Sequence, residues 1–503
     1  MSDCKVSVVI PTYNSVKTLE KCIDSILKQT HKPFEVIVVD NNSSDHTYQK
    51  IRKNFPSVRV FRLSKNYGVT GGRNYGCYYA SRKSEYVLFF DHDMIADKNM
   101  LKNMLEVANS DYKIGIVTPK IYYFSDKKII WSAGTDINLW TGRVIFRGGK
   151  DEGQYNKDQE VGVAPACLLV KRRLLESLRF DNKYFATFED TDFCFRAKNI
   201  GYLTYYSSKA KAYHDISMDK EKEAYRLLDR GYYVARNRII FMKEFGKITF
   251  LFFIPLYAFY YLKLAIKYRK FKSWFNYLKG VIDGILYTNC YLFMPFSYAW
   301  IIRKLIGDDI RTVLDLGCGT GEYMQCLSCK KDWRIVGVEI YPKAIEQAIA
   351  SGVYDKVYKS SILELPQSLR KKKFDLVFSS QVVEHMPKKL ALKSIADWER
   401  LANRRVLITT TNGFIEYEPI EKEKDDNPFQ KHLSGWLPDD FIKRGYSVYG
   451  QGLKYIWGVN GCARTMPKFL IPVFSLISYL ASFFVYIYPA FGLILIAEKE
   501  IKT

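Results

Sequence analysis

The sequence predicts an α/β chain of two doubly wound domains, and three observations predict it. A β-α-β alternation opens the chain, with apolar runs at Val6–Ile10, Val36–Val39 and Tyr86–Phe90 and a helical period over Ser15–Lys28. The pattern restarts at Thr312–Leu316, Ile335–Val338, Phe374–Ser379 and Arg405–Thr410. Between the two series, residues 246–303 are aromatic-rich and basic, which marks a join. Such alternation builds parallel sheets covered by helices. The expected parts are a domain over 1–245, a connector over 246–303 and a domain over 304–503, the last with an apolar insertion at 469–488.

The bulk numbers narrow the class. Hydrophobic residues are 48% of 503, so the chain builds cores and is not disordered. Lys and Arg number 76 against 53 Asp and Glu, a net charge of +23 that favours phosphorylated substrates or anionic lipid as partners. No basic-aromatic nucleic-acid module is present, so nucleic acid is disfavoured. The ten cysteines show no framework spacing and read as reduced and intracellular. Cys326 and Cys329 form a lone CxxC, better read as part of a helix after a glycine loop than as a zinc site. Met1–Lys5 runs straight into the first strand, so no secretory leader is expected.

In the first series, Val16, Leu19, Cys22, Ile23, Ile26 and Leu27 share a helical face, with Asn14 or Ser15 as the cap. Ligands of open α/β sheets bind beyond the carboxyl ends of strands, and the polar residues fall there. The first strand ends in Pro11, Thr12, Tyr13 and Asn14, the second in Asp40, and Tyr86–Phe90 in Asp91-His92-Asp93. Two carboxylates so placed suit a hard divalent cation, Mg²⁺ or Mn²⁺, which would neutralise a diphosphate leaving group. A solvated turn is the competing reading, and the position favours the site. Glu189, Asp190 and Asp192 crowd one segment before Arg196. A carboxylate there would deprotonate an acceptor hydroxyl; the alternative is an acidic helix start. His214 closes Ala212-Tyr213-His214 and is a candidate third metal ligand.

Residues 1–245 resemble an inverting family-2 glycosyltransferase of GT-A fold, near its rhamnosyltransferase-like branch. The matching pieces are Val8–Asn14, Val38–Asn41, Asn66-Tyr67-Gly68, Gly72-Arg73-Asn74, Asp91-His92-Asp93, Ser132-Ala133-Gly134, Glu189–Asp192 and Gly201-Tyr202. The resemblance implies a nucleotide-diphospho-sugar donor held by Pro11, Tyr13, Asn14, Asp40, Gly72, Arg73, Asn74 and Asp91, with Asp40 at the base. It implies a metal on Asp91 and Asp93, helped by His214, and catalysis by the Glu189-Asp190 pair with Asp190 as general base. A polyprenyl-phosphate sugar synthase is the runner-up.

In the second series, Asp315-Leu316-Gly317-Cys318-Gly319-Thr320-Gly321 lies between a strand and a helix. A dinucleotide site needs G-x-G-x-x-G/A; here the third glycine comes one residue early, against nicotinamide. The next strand ends in Glu339, a carboxylate able to accept both hydroxyls of a ribose. Residues 305–465 resemble a class I S-adenosylmethionine methyltransferase of Rossmann-like fold. That implies a cofactor site of Asp315, Gly317, Gly319, Gly321, Glu339, Ile340, Ser361, Ile362 and Ser380. Ser361 and Ile362 stand where the family often has an acid near adenine. His385 and His432 are candidate bases for an acceptor hydroxyl, His385 the favoured one, and a structural role for each is the competing reading.

Three apolar stretches, Ile248–Leu262, Gly284–Ile302 and Phe469–Tyr488, bear on membranes. The last is long enough to span, yet Phe491–Ala497 after it reads as a strand of the second sheet, so a broken re-entrant or interfacial pair, kinked at Pro472, is expected. Basic residues flank the first two, which favours helices lying on an anionic cytoplasmic face over a hairpin; core helices are the alternative. The expected function is sugar transfer to a glycan or lipid-linked acceptor and methylation of that glycan. The competing readings are a methyltransferase half acting on an unrelated lipid or protein, and one half serving as a non-catalytic binding module.

Overall fold

A computed structural model describes residues 4–287, 294–328, 332–416 and 427–501. The chain divides into two compact units, residues 1–287 and 288–503. This division differs from the composition boundaries at 245 and 303. Residues 246–287 belong to the first unit because Tyr261, Ala265 and Tyr277 close a small core with Leu228 and Ala235. Tyr298–Ile306 belongs to the second, where Ile301, Ile302 and Ile306 are buried. Composition changes where exposure changes, and here packing continues past that point.

The first unit contains β1 (Val6–Thr12), β2 (Glu35–Asp40), β3 (Arg59–Arg62), β4 (Tyr86–Phe90), β5 (Met94–Ala96), β6 (Ile114–Tyr123), β7 (Ile129–Ser132), β8 (Thr135–Asn138), β9 (Arg143–Phe146), β10 (Gly149–Lys150), β11 (Gln159–Glu160), β12 (Cys167–Lys171) and β13 (Leu203–His214). The sheet runs β10-β7-β6-β12-β4-β1-β2-β3, and β13 pairs with β5, β6 and β11. Strands β1, β2, β3 and β4 are parallel, and all of β1 and β4 is buried, as expected for strands covered on both faces. The sheet is mixed, though: β12 lies antiparallel between β4 and β6. The chain reaches β12 from β6 through short strands and loops, without the crossover helix a parallel return needs. The first helix starts at Leu19, later than the sequence pattern suggests, because the Ser15 carbonyl first accepts the N–H groups of Thr18 and Leu19 in a turn.

The second unit contains β14 (Thr312–Leu316), β15 (Arg334–Glu339), β16 (Lys356–Lys359), β17 (Phe374–Ser380), β18 (Ala402–Thr411), β19 (Ser447–Leu453) and β20 (Gly492–Glu500). Their order is β16-β15-β14-β17-β18-β20-β19, parallel from β16 to β18, with β20 antiparallel to both neighbours.

The apolar insertion is two helices, Ile471–Leu480 and Ser482–Ile487. They divide at Ala481. Pro472 sits instead in the first turn of the first helix, where its missing N–H forfeits no bond. A single membrane crossing here would separate β19 from β20, which pair from Ser447↔Glu498 to Leu453↔Gly492. Phe469 and Leu480 are 77% and 73% exposed. Among the described residues, Ile248–Lys267 is long and apolar enough to cross a membrane, and little of it is buried. Of Gly284–Ile302, residues 288–293 lie outside the described residues, as does Cys329 of the CxxC pair.

Candidate functional site

Parallel register gathers the first site. Thr12 lies opposite Asp40, so the ends of β1 and β2 open together. The Asp91 N–H donates at 3.1 Å to the carbonyl of Ala166, the residue just before β12, and the Ala166 N–H donates to Asp190 Oδ2 at 3.1 Å. One residue thereby joins the DxD turn to the Glu189-Asp190 segment. Ala166, Thr187 and Phe188 hold left-handed backbone at φ 61, 66 and 66, conformations that non-glycine residues keep only where the surroundings enforce them.

Arg73 lies at the centre. The resemblance implies that Gly72, Arg73 and Asn74 hold the donor, but the Arg73 side chain is fully buried and faces acids. It donates to Asp91 at 2.9 Å and to Asp190, and lies 3.9 Å from Glu189. Asn74 turns inward too, donating to the Phe180 carbonyl at 2.9 Å and accepting the Phe180 N–H at 3.1 Å. Gly72 permits a close approach: a Cβ there would meet Asn41 Nδ2 and Pro11 Cβ at 2.9 Å. Burial raises the affinity of Glu189 for a proton, reinforced by the Asp190 charge; burial raises Asp190 as well, against the pull of Arg73. Asp192 does different work, since Arg196 Nε donates to it at 2.6 Å within the helix.

His214 comes to Asp93 because β13 pairs antiparallel with β5, and its Nε2 lies 3.3 Å from Asp93 Oδ1. Burial pushes the Asp93 carboxyl up, but the His214 bond and charge, with His92, outweigh it and hold Asp93 at about 2. The buried Nδ1 of His214 has no partner. An imidazole whose Nε2 faces Asp93, in a turn that also carries Asp91, is a donor set that fits Mg²⁺ or Mn²⁺. Asp40 is fully buried under Ser43, whose hydroxyl and N–H both donate to it. Tyr13 is exposed, Pro11 is buried, and Asn14 accepts the Ser44 N–H at 2.9 Å.

In the second unit, Glu339 at the end of β15 organises the glycine loop. Its Oε2 accepts the Gly319 N–H at 2.9 Å, and its Oε1 accepts those of Ile340 and Tyr341 at 2.8 and 2.9 Å. Gly317, Gly319 and Gly321 all have positive φ. A Cβ on Gly319 would meet nothing within 4 Å, so the loop borders open space, a cradle that fits S-adenosylmethionine. Asp315 lies beneath, accepting the Tyr354 hydroxyl at 2.7 Å. Burial lifts its pKa to about 7, Tyr354 opposing and Glu339 adding to the rise. Ser380 hydrogen-bonds Tyr298 at 2.6 Å, and Tyr298 also reaches Thr409 at 2.7 Å. Ser361 accepts the Leu363 N–H at 3.2 Å within its own turn, and Ile362 packs on the core. His385 lies with Glu384 and His432 beyond β17. Ala166, Tyr298 and Tyr354 escaped the sequence reading, because no motif marks a residue that acts by supporting another.

The family model for glycosyl transferase family 2 matches residues 7–179, and that for a methyltransferase domain matches residues 314–404. Glycosyltransferase GlyG of Streptococcus pneumoniae is 28% identical over 182 residues, 35% of this chain and 60% of that protein. The UDP-Glc:alpha-D-GlcNAc-diphosphoundecaprenol beta-1,3-glucosyltransferase WfgD of Escherichia coli is 36% identical over 124 residues, 23% of this chain and 48% of that protein. The GalNAc(5)-diNAcBac-PP-undecaprenol beta-1,3-glucosyltransferase of Campylobacter jejuni is 39% identical over 113 residues, 22% of this chain and 36% of that protein. The chain thus spans less than two thirds of the length of each of these relatives. By both matches, it carries a glycosyl transferase family 2 domain followed by a methyltransferase domain.

Proposed function

We propose that the first unit transfers a sugar, with inversion, from a nucleotide-diphosphate donor to a glycan or lipid-linked acceptor, and that the second methylates a hydroxyl of that glycan. The observation that carries the reading is the single constellation of Asp91, Asp93, His214 and Asp190 at the carboxyl edge of one sheet. Two of the relatives act on diphosphoundecaprenol-linked glycans by name, which supports a lipid-linked acceptor. Exposed apolar helices at Ile248–Lys267 and Ile471–Ile487, on a chain of charge +23, support work at the cytoplasmic face of an anionic membrane.

Asp190 takes the acceptor hydroxyl's proton as its oxygen attacks the anomeric carbon, and the nucleoside diphosphate departs from the opposite face. Arg73 holds Asp190 toward Asp91 without reaching solvent. Asp91, Asp93 and His214 would hold the divalent cation, which supplies positive charge to the leaving diphosphate. In the second unit, S-adenosylmethionine supplies an electrophilic methyl group. Glu339 would hold its ribose and the glycine loop its methionine end, aligning methyl and nucleophile.

Purified chain given a panel of nucleotide sugars with Mn²⁺, a diphosphoundecaprenol-linked acceptor and methyl-labelled S-adenosylmethionine should place label in the glycosylated product. Label in lipid or protein instead would favour the reading of two unrelated substrates.

The raised pKa of Asp315 gives a pH signature. The cofactor's positive charges favour the ionised carboxyl, so binding below about pH 7 must expel a proton. Affinity for S-adenosylmethionine should rise about tenfold from pH 6 to pH 8, as linkage to one proton requires. Calorimetry on Asp315→Asn should show a flat profile. The same raised value means that the ligand-free unit loses stability as pH climbs from the ordinary carboxylate range through about 7.

A further inference from the structure

The second unit holds a cluster that neither the sugar-transfer nor the cofactor chemistry uses. Glu384, His385 and His432 each present one ligand atom, all within 4.8 Å of one another. Ligand atoms on a tetrahedral ion with bonds of about 2.2 Å are about 3.6 Å apart, so side-chain rotations of up to about 1 Å complete the set.

Supports hold each member. Glu384 is fully buried, which is costly for a carboxyl without partners. Its Oε2 accepts the Thr410 hydroxyl at 2.9 Å, while its buried Oε1 has no partner. His385 Nδ1 lies 3.2 Å from the Lys431 carbonyl, a contact it makes only as a donor, which fixes the ring's orientation. The Glu384 carbonyl accepts the N–H groups of Leu433 and Ser434 at 2.7 and 3.1 Å, pinning His432 beside it. The two rings meet edge to face at 4.9 Å.

We propose that Glu384, His385 and His432 bind a divalent transition-metal ion, with an open position for the acceptor hydroxyl. Two imidazoles and one carboxylate suit Mn²⁺, Co²⁺ or Zn²⁺ better than a cation that prefers oxygen alone. Three protein ligands, two of them half-buried, leave room for substrate, unlike a closed structural site. The position fits. Val382, two residues before Glu384, touches the glycine loop closely enough that a Cβ on Gly317 would meet it at 2.5 Å. Thr410 adjoins Thr409, which is tied through Tyr298 to Ser380.

The ion's role in methyl transfer rests on the function proposed above; the binding site itself rests on geometry alone. A hydroxyl on such an ion loses its proton to solvent more readily. Its oxygen then forms the new bond to the methyl carbon, and the carbon–sulfur bonding pair returns to sulfur, leaving a neutral thioether. In this arrangement His385 orients the hydroxyl through the ion and does not take its proton.

The test is equilibrium Co²⁺ binding to the full chain, counted per chain, with S-adenosylhomocysteine calorimetry as the check on folding. His432→Ala should remove one bound Co²⁺, with affinity at that site weakened beyond the roughly 10–100-fold that loss of an outer supporting group causes. Asp93→Ala, in the first unit, should leave that Co²⁺ in place. Glu384→Gln preserves shape and should weaken the same site even if His432→Ala disturbs the segment. Unchanged Co²⁺ content in variants that bind S-adenosylhomocysteine overturns the site. Normal Co²⁺ binding with no methyl label in any glycan overturns the function and leaves the site standing.

Discussion

Asp190→Asn is expected to lower sugar transfer by about 10²–10⁴-fold, the span a positioned general base contributes. The substitution keeps the shape and the contact with the Ala166 N–H, but removes the proton acceptor beside Arg73. Binding of S-adenosylhomocysteine to the second unit should not change. The assay is transfer from whichever nucleotide sugar the native chain accepts, with Mn²⁺ present. Glu189→Gln is the control: Glu189 lies farther from Arg73 and its Oε2 has no partner, so its loss should act more weakly. Transfer by Asp190→Asn within tenfold of the native rate would remove Asp190 from the base role.

Arg73→Met is expected to act on stability. The guanidinium is fully buried and also lies 5.1 Å from the Phe180 ring centre. Methionine would keep much of the packing and leave the carboxyls of Asp91, Glu189 and Asp190 without their cation. Breaking a buried pair from one side costs roughly 3–5 kcal/mol. For a unit of this size that lowers the first unit's unfolding temperature by on the order of 10 °C. The sign with pH follows. Burial already raises the proton affinity of Glu189 and Asp190 against the pull of Arg73, so without it both bind protons more tightly folded than unfolded and the variant loses stability as pH rises. The deficit should be smaller at pH 5 than at pH 8. Scanning calorimetry of the full chain reads both, and an equal deficit at the two pH values would show that packing, and not charge, is what Arg73 supplies.

Arg73 also shows where a sequence stops being readable. Strand ends announced themselves, because apolar runs give way to Pro11-Thr12-Tyr13-Asn14, Asp40 and Asp91-His92-Asp93, and alternation in β/α chains puts such ends on one edge. The same logic found Asp315 and Glu339. The resemblance put Gly72, Arg73 and Asn74 at the donor, yet they lie in a helix in which Gly72 packs against Pro11 and Asn41, and the arginine turns inward. Burial of a charge depends on partners far along the chain, here Asp190, which no local pattern reports. Antiparallel β12 was hidden for a related reason: strand direction is decided by the connection's path, and Cys167–Lys171 looks like any buried strand. Tyr298 and Tyr354 are ordinary aromatics until the sheet brings them to Ser380 and Asp315. The pairing of Glu384 and His385 with His432 needed a return of the chain that periodicity does not encode.

Ala166 carries a consequence of its own. Its carbonyl holds the DxD turn and its N–H holds Asp190, so, together with the Arg73 bridge, the backbone of one residue sets the span between the groups proposed to depart and to arrive. That residue works as a gauge block. Side chains at the rim can diverge to admit other sugars and acceptors while Ala166 and the buried Arg73 keep the span constant from behind them. A lineage built on this edge can therefore change what it joins without relearning how to join it.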